Sequence, residues 1–287
     1  MLHREPSPPT LVGDGGRRST GVRLPELRWS FANDFEPPAL PTSIVFVHGY
    51  LAPLPNAYWL GSLKLMHDLK RRNVDLRVVR APVTGPVAER AARLARELEA
   101  SRADRVVLVG HSMGGLDARY ATRHFDPARR VTDVITLGTP HRGTTLADLV
   151  HRLRHRLPAP LREIDQGGLA DLTRAAARRF NEATPDREDV RYHAICGRIP
   201  PRAVPTLLQP FARRLQAHEG DNDSLVAVAS ARWGDTVVVD DADHWALIGL
   251  EGFSGTDLRH RFARLRDTRR PLALLRRRLR EILATAP

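Results

Sequence analysis

Short apolar runs alternate with amphipathic stretches along most of the chain. Ile44-Val45-Phe46-Val47, Val74 to Val79, Val106-Val107-Leu108-Val109, Val131 to Leu137, Val190 to Cys196 and Thr236 to Val239 read as strands. Most are continuously apolar, the mark of strands buried on both faces; a strand with one wet face would alternate. Between them lie segments with helical spacing: Leu60 to Arg71, Pro86 to Ala100 with Val87, Ala91, Leu94 and Leu98 on one face, and Leu116 to Phe125. Strands alternating with helices predict an α/β fold, a mostly parallel sheet with helices on both faces. The sequence has no visible internal repeat.

The rhythm breaks twice. Residues 141–189 are mainly helical, with Leu146, Leu149, Val150, Leu153 and Leu157 forming a wide apolar stripe. Residues 200–220 also fall outside the alternation and read as irregular. Both read as a cap or lid region inserted between core strands, with ordinary packing helices as the alternative. Near the other end of the chain, Leu272, Leu275, Leu279 and Ile282 recur at helical spacing beyond Pro271. They predict an amphipathic helix that packs one face on the core and turns arginines outward. Residues 1–22 are rich in Pro, Gly, Ser and Arg and lack an apolar h-region. They read as a disordered leader, not a secretion signal, so a cytoplasmic address, or export by another route, is expected.

Composition refines this only slightly. A chain of 287 residues with 42% hydrophobic and 27% charged residues is ordinary for a globular protein, and 23–287 suffices for one large domain. No apolar stretch approaches the ~18 residues of a membrane span. The net charge of +12 invites a nucleic-acid partner. Yet Lys64 and Lys70 are the only lysines among 45 basic residues, and such an arginine skew can follow genome base composition. No zinc-finger, RNP or bZIP pattern is present, so no nucleic acid is expected. The arginine-rich face of the last helix is expected to be solvated, with docking onto an anionic lipid surface as the alternative. Oligomeric state leaves no mark in the pattern. Cys196 is the single cysteine, which excludes an internal disulfide; within an apolar run it reads as inert core.

Gly110-His111-Ser112-Met113-Gly114 follows one of the buried strands and opens a helix. In that context G-x-S-x-G reads as a nucleophile elbow, with Ser112 lifted above the sheet and Gly110 and Gly114 small enough to let the turn close. A serine hydroxyl needs a base, and the base needs an orienting carboxylate. His244 lies a few residues beyond the last predicted strand, where a loop over the sheet would carry it, and is the candidate base. Asp223 is the first candidate acid, in the polar turn Gly220-Asp221-Asn222-Asp223-Ser224. Asp221, Asp240, Asp241 and Asp243 are the alternatives, and Asp243, adjacent to His244, reads as a solvated loop charge. The oxyanion would take the backbone N–H of Met113 and that of Tyr50, in the loop His48-Gly49-Tyr50 after the first strand. His48 is expected to tie that loop down, and His111 to pack beside the site without taking a proton.

These residues resemble blocks of a known family, in order: V-H-G-Y, G-H-S-M-G-G, L-G-T-P-H-R-G-T, the stretch from Asp171 to Asp186, N-D-S-L-V and D-H-W, spanning about Ser43 to Gly249. The chain resembles an α/β-hydrolase of the bacterial triacylglycerol lipase/esterase group. The resemblance implies Ser112 as nucleophile, Asp223 as acid, His244 as base, and Tyr50 and Met113 at the oxyanion hole. It implies an ester or lipid substrate and no cofactor. A thioesterase or acyltransferase with the same triad, or a non-catalytic lipid-binding relative, are the alternatives. Two departures stand out. Ser224 replaces the glycine of the usual N-D-G-L-V, which is tolerable if the turn does not require positive φ. Ala246 stands where secreted relatives carry a calcium-binding aspartate, so no calcium of that type is expected.

Overall fold

The computed structural model describes residues 35–51, 55–156, 163–250 and 269–285; the expected leader over 1–22 lies outside them. Six strands, β1 (Thr42–Val47), β2 (Asp75–Val78), β3 (Arg105–His111), β4 (Val131–Leu137), β5 (Arg191–Arg198) and β6 (Asp235–Asp240), form one sheet in the order β2-β1-β3-β4-β5-β6. Every neighbouring pair is parallel. All six predicted strands are present within a residue or two of their expected bounds.

Because successive side chains in a strand point to opposite faces, the continuous apolar runs feed two cores at once. Ile44, Phe46, Val107, Val109, Ile135 and Leu137 pack on one face with Trp59, Leu69, Leu275 and Leu279. Val45, Val47, Val106, Leu108 and Val134 pack on the other with Ala91, Leu94, Leu98, Ala118 and Ala121. The first face is covered by α1 (Pro55–Tyr58), α2 (Leu63–Lys70) and a C-terminal helix over Arg269–Ala284; the second by α3 (Val87–Ala100) and α4 (Met113–His124). Each fully buried Leu or Ile contributes about 1.5–3 kcal/mol, so the two cores dominate the stability of the sheet. The C-terminal helix begins two residues before Pro271. It is held by apolar burial and by Arg105, whose Nη1 donates to Thr285 O at 2.7 Å.

Between β4 and β5 run α5 (Thr145–Leu153), α6 (Gly168–Asp171) and α7 (Arg174–Ala183). The stripe expected on α5 is only partly covered: Leu146 is buried, Leu149 and Val150 are half-buried, Leu153 is 38% exposed, and Leu157 lies outside the described residues. Arg119 of α4, itself buried, ties this region down through Asn181 Oδ1 at 2.8 Å and by stacking over Trp233 at 3.8 Å. The segment 200–220, read as irregular, carries two short 3-10 turns and then α8 (Gln209–Glu219). Leu215 of that helix is fully buried and Ala212 packs with Ile199 and Val204, so a partly apolar face sufficed for a helix where the strand rhythm had lapsed.

Candidate active site

The carboxyl ends of β1, β3, β4 and β5 and the loop after β6 meet at one place. Ser112 sits between the end of β3 and the start of α4 with φ 54° and ψ −127°, a strained conformation for a residue with a Cβ. The glycines around it are dictated by close approach of backbone. A Cβ at Gly110 would lie 2.4 Å from Gly114 O, and one at Gly114 would lie 2.3 Å from Val47 O. Met113 is the first residue of α4, so its N–H has no acceptor within the helix and lies at the helix's positive end.

Asp223 and His244 are brought together from 21 residues apart. His244 Nδ1 lies 2.7 Å from Asp223 Oδ2, and both side chains are buried. The main chains meet as well, His244 N–H donating to Asp223 O at 2.7 Å. Asp223 Oδ1 accepts from the N–H groups of Leu225 and Val226 at 3.0 and 2.8 Å, which fixes the carboxylate in its own turn. A carboxylate can only accept, so the shared proton resides on His244 Nδ1 and leaves Nε2 with the lone pair a base requires. Gly138, at φ 56°, closes the floor: a Cβ there would lie 2.8 Å from Asp223 Oδ2 and 3.1 Å from His244 Nδ1.

The other acids are elsewhere. Asp221 and Asp240 are exposed and both bond Arg198, at 3.0 and 2.6 Å. Asp241 is exposed at φ 56°. Asp243, expected to be a solvated charge, is buried; its Oδ1 accepts from the N–H groups of Trp245 and Ala246 at 3.1 and 2.8 Å. It caps the short 3-10 turn Ala246–Ile248 that follows His244, a local carboxylate-to-backbone use that adjacency in sequence did not suggest. Ser224 also departs from expectation. Its φ is +88°, so the turn does demand the conformation that a glycine would supply without strain.

The loop His48-Gly49-Tyr50 lies directly against the elbow: a Cβ on Gly49 would be 2.8 Å from Ser112 Cβ. Tyr50 sends its hydroxyl to Asp165 Oδ1 at 3.0 Å, and burial pushes that phenol up from its ordinary value. Only its main-chain N–H is a candidate oxyanion donor. His48 Nδ1 donates to Gly49 O at 2.8 Å, and burial lowers the ring's pKa to about 4, so it is a neutral strut. Arg90, fully buried, braces the loop from behind. Its Nη2 donates to His48 O at 2.6 Å, Nη1 to Pro82 O at 2.5 Å and Nε to Asp117 Oδ2 at 2.8 Å. Burial, partly offset by Arg90, raises the Asp117 carboxyl to about 6.

His111 packs beside the site, its ring centroid 4.5 Å from that of His244. Its Nε2 bonds His244 O at 2.9 Å and its Nδ1 bonds Tyr58 Oη at 2.5 Å. Tyr58, Arg90 and Asp117 did not emerge from the sequence pattern, since each acts through contacts between distant segments.

The family model described as "PGAP1-like alpha/beta domain" matches residues 92–164, which include the elbow. Triacylglycerol lipase 2 of Saccharomyces cerevisiae is 30% identical over 210 residues, 67% of this chain; the chain spans 62% of the length of that relative. Among solved structures, a mature Bacillus licheniformis lipase superposes with a TM-score of 0.62 at 26% identity, covering 75% of this chain and 89% of its own. A metagenomic carboxyl esterase superposes with a TM-score of 0.66 at 24% identity, covering 95% and 81%. That last likeness is one of fold. A parallel sheet in this strand order, a strained serine at the elbow and these relatives place the chain in the lipase/esterase group of α/β-hydrolases.

Proposed function

We propose that the chain is a serine carboxylic-ester hydrolase with Ser112 as nucleophile, His244 as general base and acid, and Asp223 as the group that orients the imidazole. The observation that carries the reading is the buried Asp223–His244 pair at 2.7 Å, its imidazole 4.5 Å from the ring of His111, the residue that precedes a serine held at positive φ. His244 Nε2 takes the Ser112 proton as Oγ attacks the ester carbonyl. The tetrahedral oxyanion is met by the N–H groups of Met113 and Tyr50, donors of a kind worth roughly 2.7–4 kcal/mol of barrier each. The imidazolium then protonates the leaving alcohol, and water activated by the same ring releases the acid. Asp223 keeps its charge throughout and stabilises the imidazolium across their shared hydrogen bond. Ester or lipid substrates are the class to which the relatives' names point.

The test is direct. Ser112→Ala should lower turnover of p-nitrophenyl butyrate by several orders of magnitude, on the scale of ~10⁶ measured for such triads. Wild-type protein should be labelled at Ser112 by a fluorophosphonate. A variant that hydrolyses at wild-type rate, or a wild-type serine inert to the probe, would refute the assignment.

A further inference from the structure

His111 and Tyr58 form a buried line of hydrogen bonds that runs from the oxyanion loop to the His244 main chain. The carbonyl of His244 can only accept, so His111 Nε2, 2.9 Å away, must carry a proton. Complete burial and the neighbouring His244 ring both oppose a second proton on His111, so its Nδ1 holds a lone pair. Tyr58 Oη, 2.5 Å from that nitrogen, is therefore the donor. On its other side the phenol oxygen lies directly against the oxyanion loop, where a Cβ on Gly49 would come within 2.6 Å of it. Both donors thus point the same way: Tyr58 O–H to His111 Nδ1, and His111 Nε2–H to the His244 carbonyl. Tyr58, His111 and His244 are all buried.

We infer that Tyr58 and His111 are positioning residues that lock the His244 main chain and the oxyanion loop into one rigid unit. The inference rests on the ester-hydrolase reading and adds to it two residues that touch neither the substrate nor the reacting atoms. The two ends of the line are the two elements whose mutual placement matters most. Gly49 precedes the proposed oxyanion donor Tyr50, and His244 is the proposed base. The His244 main chain is pinned on its N–H by Asp223 O and on its carbonyl by His111 Nε2, so the Cα from which the imidazole springs is held from both sides. Removing the Tyr58 hydroxyl leaves His111 Nδ1 without its partner and opens a gap against Gly49, which uncouples the loop from the His244 main chain.

Tyr58→Phe keeps the ring that packs edge-on against Trp59 and Trp245 and deletes only the hydroxyl. On p-nitrophenyl butyrate, kcat should fall about 10- to 100-fold, the scale of small misplacements in an active site, with KM nearly unchanged. Fluorophosphonate labelling of Ser112 should slow by the same factor. His111→Gln, which retains an Nε2 donor for the His244 carbonyl, should keep more of the wild-type kcat than His111→Ala. A Tyr58→Phe protein with wild-type near-ultraviolet circular dichroism and wild-type kcat would overturn the inference. Should that variant not fold, ¹⁵N spectra of the wild-type histidines at pH 7 decide: His111 as the Nε2–H tautomer supports the line, and the Nδ1–H tautomer breaks it. Failure of the ester-hydrolase reading itself would look different, as wild-type protein that neither turns over ester nor takes the probe.

Discussion

Ser224→Gly should stabilise this protein. Ser224 sits at φ +88° in the turn that presents Asp223, and its Oγ is buried with no hydrogen-bond partner. A side chain at positive φ stores about 1–3 kcal/mol. An unsatisfied buried hydroxyl adds about 1–3 kcal/mol. Against these stand the greater freedom glycine restores to the unfolded chain, about 0.5–1 kcal/mol, and the lost contacts of one buried carbon, about 0.8 kcal/mol. At mid-range the balance favours glycine by about 2 kcal/mol, equivalent to a rise in Tm of about 4–8 °C for a domain near this size. Ser224→Ala separates the terms, because it removes the hydroxyl and retains the strained Cβ. Thermal unfolding of the three proteins should rank glycine above alanine. Ester turnover should be unchanged in the glycine variant, since Asp223 Oδ1 keeps its bonds to Leu225 and Val226. An alanine variant as stable as the glycine variant, or a glycine variant less stable than wild type, would refute the strain argument.

Acid should weaken the fold before it reaches the carboxylates of the surface. His48 is held neutral down to about pH 4 against an ordinary value of 6.5, so between those values the unfolded chain binds a proton that the folded chain refuses. Stability therefore falls as pH drops through that window, by roughly 3 kcal/mol for His48 alone at about 1.4 kcal/mol per pH unit. His111 and His141, also held neutral by burial, act in the same direction, while two carboxyls raised by burial, Asp117 to about 6 and Asp171 less far, oppose them. Melting curves from pH 7 to 4.5 should show a continuous decline in Tm; a flat or rising Tm would contradict the burial of these rings. Leu279→Ala, deep under the C-terminal helix, should cost about 2–5 kcal/mol in urea unfolding. A loss below 1 kcal/mol would mean that the helix is not integral to the core.

The sheet was legible because a parallel strand covered on both faces writes itself as a run of apolar residues, and six such runs stand out between amphipathic segments. The serine at the elbow was legible because steric crowding forces glycine at Gly110 and Gly114, where Cβ atoms would meet Gly114 O and Val47 O. Asp223 and His244 could be ranked among their rivals by place along the chain, and the structure sets these two side by side while it commits Asp221 and Asp240 to Arg198. What sequence could not convey was contact between distant segments. Arg90 and Asp117 look like ordinary helix residues until their pairing beneath the His48 carbonyl is seen. Tyr58 carries no motif. Asp243 illustrates the opposite failure: a charge in a polar stretch was read as wet, whereas its carboxylate satisfies two backbone N–H groups and is buried for that reason.

The helix Arg269–Ala284 has a consequence for synthesis. It supplies Leu275, Leu279, Ile282 and Leu283 to the core over Phe46 and Val107, and its Arg276 reaches back to Asp68, 208 residues earlier. At translation rates of roughly 5–20 residues per second, that face of the nascent sheet waits about 10–40 seconds for its cover. During that interval a row of β-branched and aromatic side chains is open to chaperones, or to other nascent copies. A chain truncated before this helix is expected to aggregate, because the order of emergence leaves that face bare until the end.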